Sequence, residues 1–141
     1  MLPLRLVLDT NVIVSGALKP KGLERTTMIF AVTRPARLYV SPDIMAEYVE
    51  VLRRPALRVH DEERRSLLDL LAARSQQVVP SSRVFACLDP DDNIFLECAE
   101  AAAADYLVTG NKRHFPAFWK HTKIVNCRET MEIIAPHLRP W

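Results

Sequence analysis

Residues 4–11 read Leu-Arg-Leu-Val-Leu-Asp-Thr-Asn, an almost unbroken apolar run that stops at Asp9. A strand with one wet face alternates apolar and polar residues, whereas this one does not. It has the pattern of a strand covered on both faces, as in a parallel sheet. The run then gives way to three consecutive oxygen-bearing side chains, Asp9, Thr10 and Asn11. Capping the next helix needs only one of them. Asp9 is therefore both a candidate cap and a candidate functional acid.

Working outward from this strand, a short helical stretch begins near Asn11 and a helix covers Glu24 to Thr33, where Pro35 stops it. A second strand is expected at Arg37–Val40. Ser41 then has the chemistry of an N-cap, with Pro42 in the first helical position of a helix reaching about Arg53. Pro55 closes that helix, and Asp61-Glu62-Glu63 places negative charge at the start of another ending near Arg74. Gln77-Val78-Val79 reads as a third strand. Asp89-Pro90-Asp91-Asp92 opens a helix running through the alanines at 101–104. Asp105–Thr109 and Lys123–Asn126 are the fourth and fifth strands, and Arg128 to about His137 is a last helix. Strands alternating with helices predict a three-layer α/β/α sandwich around a mostly parallel sheet of about five strands, with residues 1–141 as one domain. Ligands of such sheets sit beyond the carboxyl ends of the strands, where Asp9, Ser41 and Asn111 fall.

The composition is that of an ordinary globular chain, 49% hydrophobic and 26% charged, and its 141 residues can bury a core without disulfides or a structural metal. A net charge of +2 permits an anionic partner without demanding one. Cys87, Cys98 and Cys127 are odd in number and lack C-x-x-C spacing, which suits core residues in a reducing compartment. No two of the four histidines stand at i, i+4, so a histidine-based zinc site is not expected. No apolar run is long enough to cross a bilayer, and Met1-Leu2-Pro3-Leu4-Arg5 lacks the parts of a signal peptide. A cytoplasmic protein with no membrane partner is the expectation.

Carboxylates occupy unusual places. On the helix after Ser41, Glu47 shares the i, i+3, i+4, i+7 face of Ile44, Tyr48 and Val51, so an acid falls within an apolar stripe. It must be neutralised, paired or bound to a cation, and Arg53 and Arg54 are the candidate ion-pair partners. Asp89 fits the cap before Pro90. Asp92 shares a face with Leu96, Ala99 and Ala103, and Asp91 with Phe95, Cys98 and Ala102; periodicity does not choose between them. Asn93 falls with Glu97 and Glu100 on the side expected to be wet. Acids gathered at one place repel unless a cation binds. An all-oxygen donor set of Asp9, Glu47 and Asp91 or Asp92 suits Mg²⁺ or Mn²⁺ and points to phosphodiester or phosphoryl chemistry.

Four segments, "LVLDTNVIVSG", "SPDIMAEYVEVLRRP", "DPDDNIFLECA" and "ADYLVTGNKRHFP", in this order, resemble the PIN-domain proteins, in particular the toxin components of bacterial toxin–antitoxin pairs related to VapC. The resemblance spans nearly the whole chain. It implies an α/β/α sandwich, an acidic Mg²⁺ or Mn²⁺ site, endonuclease action on RNA, a partner antitoxin and, in many relatives, a homodimer. Asp9 matches the first family acid and Glu47 the second. Asp92, seven residues before Ala99, matches the third. Asn11 and Thr109 match small polar positions that support the metal. Asn111 stands where the family usually has a fourth aspartate, so it is the neutral member of the expected metal set Asp9, Glu47, Asp92 and Asn111.

Lys112, Arg113 and His114, just past a strand end, are placed for phosphate contacts with RNA; an ordinary solvated basic loop is the alternative. Phe115, Phe118 and Trp119 could stack on bases, with packing as the simpler role. Two other functions compete with hydrolysis of RNA. A phosphatase of the haloacid-dehalogenase type also places an aspartate after its first strand, but it carries a second two residues later, where this chain has Asn11. A catalytically weak or inactive PIN-like module that binds RNA or a partner is favoured by Asn111 and opposed by the three acids.

Overall fold

The computed structural model describes residues 3–138. Met1 and Leu2, part of the stretch read for a leader, and residues 139–141 lie outside the described residues.

The first strand, β1 (Arg5–Leu8), has Leu6, Val7 and Leu8 wholly buried, so both of its faces are covered as the unbroken apolar run requires. It lies between β2 (Arg37–Val40) and β4 (Tyr106–Val108), parallel to both, with Leu6 opposite Leu38 on one side and Tyr106 on the other. The full order is β3-β2-β1-β4-β6-β5, with β3 at Ser75–Gln77, β5 at Phe118–Trp119 and β6 at Thr122–Val125. All neighbours are parallel except β5 and β6. The sheet thus has six strands rather than five. The extra one is a two-residue edge strand whose partner follows after the turn Lys120-His121, with Lys120 at φ 54°. Two residues carry no periodicity, which is why the sequence did not announce it.

The third strand also falls two residues earlier than its valines suggested. Ser75, Gln76 and Gln77 pair with Leu38, Tyr39 and Val40, while Val79 is exposed. An edge strand takes its register from its neighbour's backbone, and its side chains need not be apolar.

Helix α1 (Thr10–Leu18) contains β-branched residues and a glycine, poor helix formers, and is held by burial of Val12, Ile13 and Ala17. Gly16 allows the crossing with α2 (Leu23–Ala31): a Cβ there would meet Met28 Cε at 3.2 Å, and Arg25 Nε donates to the Gly16 carbonyl at 2.6 Å. α3 (Pro42–Leu52) begins as expected, with Ser41 Oγ accepting the Ile44 amide at 3.2 Å. α4 (Asp61–Arg74) buries only Leu67 and Leu71. α5 (Asn93–Ala102) stops short of the last alanines because Ala103 turns left-handed, φ 50°. α6 (Cys127–Leu138) starts with a reciprocal cap in which Asn126 Oδ1 accepts the Glu129 amide and Glu129 Oε1 accepts the Asn126 amide.

α5 packs on β1, β2 and β4, whereas α1 packs on α2, α3 and α4, and α2 on α6. The connections from β1 run towards β2 and β3, and the chain then returns to β4 on the other side of β1. This reversal opens a crevice at the carboxyl ends of β1 and β4, the usual ligand position in such sheets. No described helix is long and apolar enough to cross a membrane.

Candidate active site

Asp9 leaves β1 at this crevice and is only 5% exposed. It does cap α1, with Oδ1 accepting the Thr10 amide at 2.7 Å. Oδ2 has a different duty: it accepts from Thr109 Oγ1 at 2.7 Å and from Asn11 Nδ2 at 3.1 Å. Asn11 Oδ1 in turn accepts the Gly110 amide at 3.0 Å, and the Thr109 hydroxyl oxygen accepts the Asn111 amide at 3.0 Å. The consecutive polar residues after β1 and after β4 therefore form one lattice that fixes a single carboxylate.

Glu47 reaches the same place from α3. Its Oε2 accepts the Thr10 hydroxyl, so Thr10 ties the second acid to the residue beside the first. Thr10 was visible only as part of an oxygen-bearing run; nothing in the sequence indicated that its partner would be 37 residues away. The ion pair considered for Glu47 goes elsewhere, since Arg54 pairs with Glu50 at 3.3 Å. The next residue on α3, Tyr48, is wholly buried and donates its hydroxyl to the Leu8 carbonyl, anchoring α3 to the end of β1.

Asp92 ends a short 3-10 turn, Pro90–Asp92, which Asp89 caps by accepting the Asp91 amide at 3.0 Å. The Asp92 side chain is 18% exposed and stands 3.6 Å from His114 Nδ1, whereas Asp91 is exposed. The turn is held from behind by Asn93. This residue is buried rather than wet, and its Oδ1 accepts the amides of Ala86 and Cys87 at 3.1 and 2.9 Å. Glu97 and Glu100 likewise turn to protein partners, the Val84 amide and Trp119 Nε1. The expected wet face of α5 is covered by the loop from β3 and by β5, which periodicity within one helix cannot reveal.

Asp9, Thr10, Asn11, Glu47, Asp89, Asp91, Asp92, Asn111 and His114 line one cleft of about 400 Å³, together with Arg54. The acids sense one another. Burial raises the Asp9 carboxyl above its ordinary value, against the lowering effect of Thr109 and Thr10, and Glu47 adds to the rise. Burial also raises Glu47, followed by repulsion from Asp92 and Asp91. Asp92 is pushed up to about 6 by burial and by Asp9 and Asp89, with His114 acting in the opposite direction.

Among the described residues, no group of three His, Cys, Asp or Glu side chains is gathered tightly enough to hold a metal ion by itself. The donor set nevertheless fits a hard, partly hydrated cation. It is all oxygen, its acids repel one another, and Mg²⁺ takes one or two carboxylates while keeping several waters.

The basic residues after β4 divide. Lys112 Nζ pairs with Glu129 at 2.8 Å, His114 faces Asp92, and Arg113 is exposed. Phe115 is buried in the core, Trp119 is half-buried and Phe118 is exposed. Cys98 and Cys127 are buried core thiols, and Cys87 is half-buried.

The chain is 30% identical over 112 residues to an uncharacterized protein of Methanocaldococcus jannaschii, covering 77% of this chain and 72% of the other. Its fold is similar to a chain in the crystal structure of VapBC2 from Rickettsia felis bound to a DNA fragment from their promoter. That likeness has a TM-score of 0.59 and 16% identity, over 87% of this chain and 98% of that one. The PIN domain family model matches residues 5–113, a range that holds every acid of the cleft, and the chain belongs to the PIN domain family.

Proposed function

We propose that the protein is a Mg²⁺- or Mn²⁺-dependent endoribonuclease acting as the toxin of a toxin–antitoxin pair. The observation that carries this reading is the convergence of Asp9, Glu47 and Asp92 on one cleft at the carboxyl ends of the strands, with Asp9 locked by Thr109 and Asn11. The chemistry a divalent ion supplies in such a cleft is neutralisation of phosphoryl charge and acidification of a water. Asp9 presents a carboxylate already fixed in orientation by three donors, which lowers the ordering cost of using it. Thr10 does the same for Glu47. Asp92 and Asn111 complete the oxygen-bearing rim. Hydrolysis adds water across the P–O bond, and the cleft acids are the groups available to receive its proton.

Support for the antitoxin partner comes from the four motif segments and their resemblance to VapC-related toxins. The likeness to VapBC2 supports the fold alone at its level of identity. The decisive experiment incubates purified protein with RNA and with DNA in Mn²⁺ or Mg²⁺, beside EDTA and the Asp9→Asn variant. RNA cleavage lost in both controls is the expected result. Cleavage that survives both would falsify the assignment.

A second reading, a PIN-like module that binds RNA or a partner without cutting, is favoured by the neutral Asn111 and by the absence of a closed ligand cage among the described residues. It predicts no Mn²⁺-dependent rise in thermal stability, whereas the nuclease predicts one.

A further inference from the structure

The opposite end of the sheet carries a second cleft of opposite charge. Arg34 and Pro35 precede β2, Arg37 opens it, Arg74 closes α4 and Gln76 lies in β3; with Pro3 they line a space of about 730 Å³. No aspartate or glutamate lines it. Among the described residues the ion pairs are made by Arg25, Arg54, Arg64, Lys112 and His114, and none by Arg34, Arg37 or Arg74. Next to Arg37 in register stands Arg5, whose guanidinium is committed to the Ala102 carbonyl at 3.0 Å. Three guanidiniums facing one cleft repel, and each offers a planar fork of donors that matches a phosphate.

We propose that this arginine cleft binds the phosphodiester backbone of the RNA strand at a distance from the acidic cleft. The proposal rests on the reading of the protein as an RNA-acting enzyme. Magnitudes choose a strand over a small anion. All three arginines are exposed, and solvent screening leaves an exposed ion pair with little net worth. A single free phosphate therefore binds weakly here. A strand that engages several arginines at once also releases its condensed counterions, which supplies most of the affinity of such contacts. From Arg5 to Asp9 along β1 is roughly 13 Å at about 3.3 Å per residue, short enough for one strand to reach both ends of the sheet. A chain of net charge +2 can hold a polyanion because the two clefts are separate: Asp9, Glu47 and Asp92 line one, and Arg34, Arg37 and Arg74 line the other with no acid among them.

The test measures binding of a fluorescent single-stranded RNA of about twenty nucleotides, long enough to span both ends, by anisotropy across a salt series. EDTA is present, so nothing depends on turnover. The wild-type chain is compared with the triple variant Arg34→Gln, Arg37→Gln, Arg74→Gln. We expect the variant to bind about tenfold more weakly, with a salt slope shallower by about two, as loss of three phosphate contacts on a single strand requires. Its circular dichroism and melting should match wild type, since the three side chains are exposed. Unchanged affinity and slope would overturn the proposal. So would inorganic phosphate displacing the RNA at concentrations near the RNA's own dissociation constant, because the cleft would then be a small-anion site. If the wild-type chain binds RNA through these arginines yet cleaves none in Mn²⁺, the nuclease reading fails and the arginine cleft stands.

Discussion

The Thr109 hydroxyl donates a 2.7 Å hydrogen bond to Oδ2 of Asp9, joining the ends of β4 and β1 across a hundred residues of chain. The same oxygen accepts the Asn111 amide, so one threonine holds both the Asp9 carboxylate and the Asn111 backbone. Thr109 is wholly buried, and its role is to orient.

Thr109→Val keeps the shape and removes that donor. A hydrogen bond to a charged group contributes about 1.5–3 kcal/mol. Chemical denaturation at neutral pH should show a loss of about that size. Loss of the bond also raises the Asp9 pKa further, so the deficit should shrink as the solution is acidified. Thr109→Ser, which keeps the hydroxyl, should restore Mn²⁺ affinity.

Stability of the metal-free protein should fall as pH rises. Asp92 titrates about 6 when folded against 3.8 as its ordinary value, and Asp9 and Glu47 are shifted in the same direction. The folded state therefore holds the extra proton between these values. Its stabilising effect is complete below about pH 4 and is lost as pH rises through 6. With allowance for solvent screening, Asp92 contributes about 1 kcal/mol. Melts in EDTA from pH 4 to 8 should show the decline. Mn²⁺ should reverse it above pH 6, and a flat profile in EDTA would show that burial does not raise these carboxyls.

Asn111→Asp adds a charge to the rim of the cleft that holds Asp9, Glu47 and Asp92. Mn²⁺ should bind roughly tenfold more tightly by calorimetry, about 1.4 kcal/mol, while the metal-free protein melts lower. Equal or weaker binding assigns Asn111 instead to shaping the turn that presents Lys112 and Arg113.

Asn93→Ala leaves the Ala86 and Cys87 amides without their acceptor. A loss of about 2 kcal/mol follows from the two orphaned donors. The loop before Asp89 should become sensitive to protease and exchange its amides faster. If protection of that loop is unchanged, Asn93 does not hold it.

The chain's local chemistry is enough to place most elements. The apolar run at residues 4–8, the Ser41-Pro42 cap and the acids opening α4 each act over a few residues, and the elements they mark begin within a residue or two of where they are expected. The same locality exposed Asp9 and Glu47 as acids out of place. What local pattern could not carry was any relation set by distant backbone. The register of β3 comes from β2, and the two-residue β5 exists only because β6 lies beside it. The cover over Asn93 comes from a loop and the side chains of Thr10 and Glu47 meet across 37 residues. The choice between Asp91 and Asp92 shows the boundary best. Their helical faces are equally apolar, so periodicity left the choice open and only the motif resemblance favoured Asp92; the packed turn leaves Asp91 exposed while setting Asp92 beside His114 and within the field of Asp9. Local chemistry selects which residues can carry charge into the crevice. Packing selects which of them share one low-dielectric cleft, because that depends on the order in which the strands lie side by side.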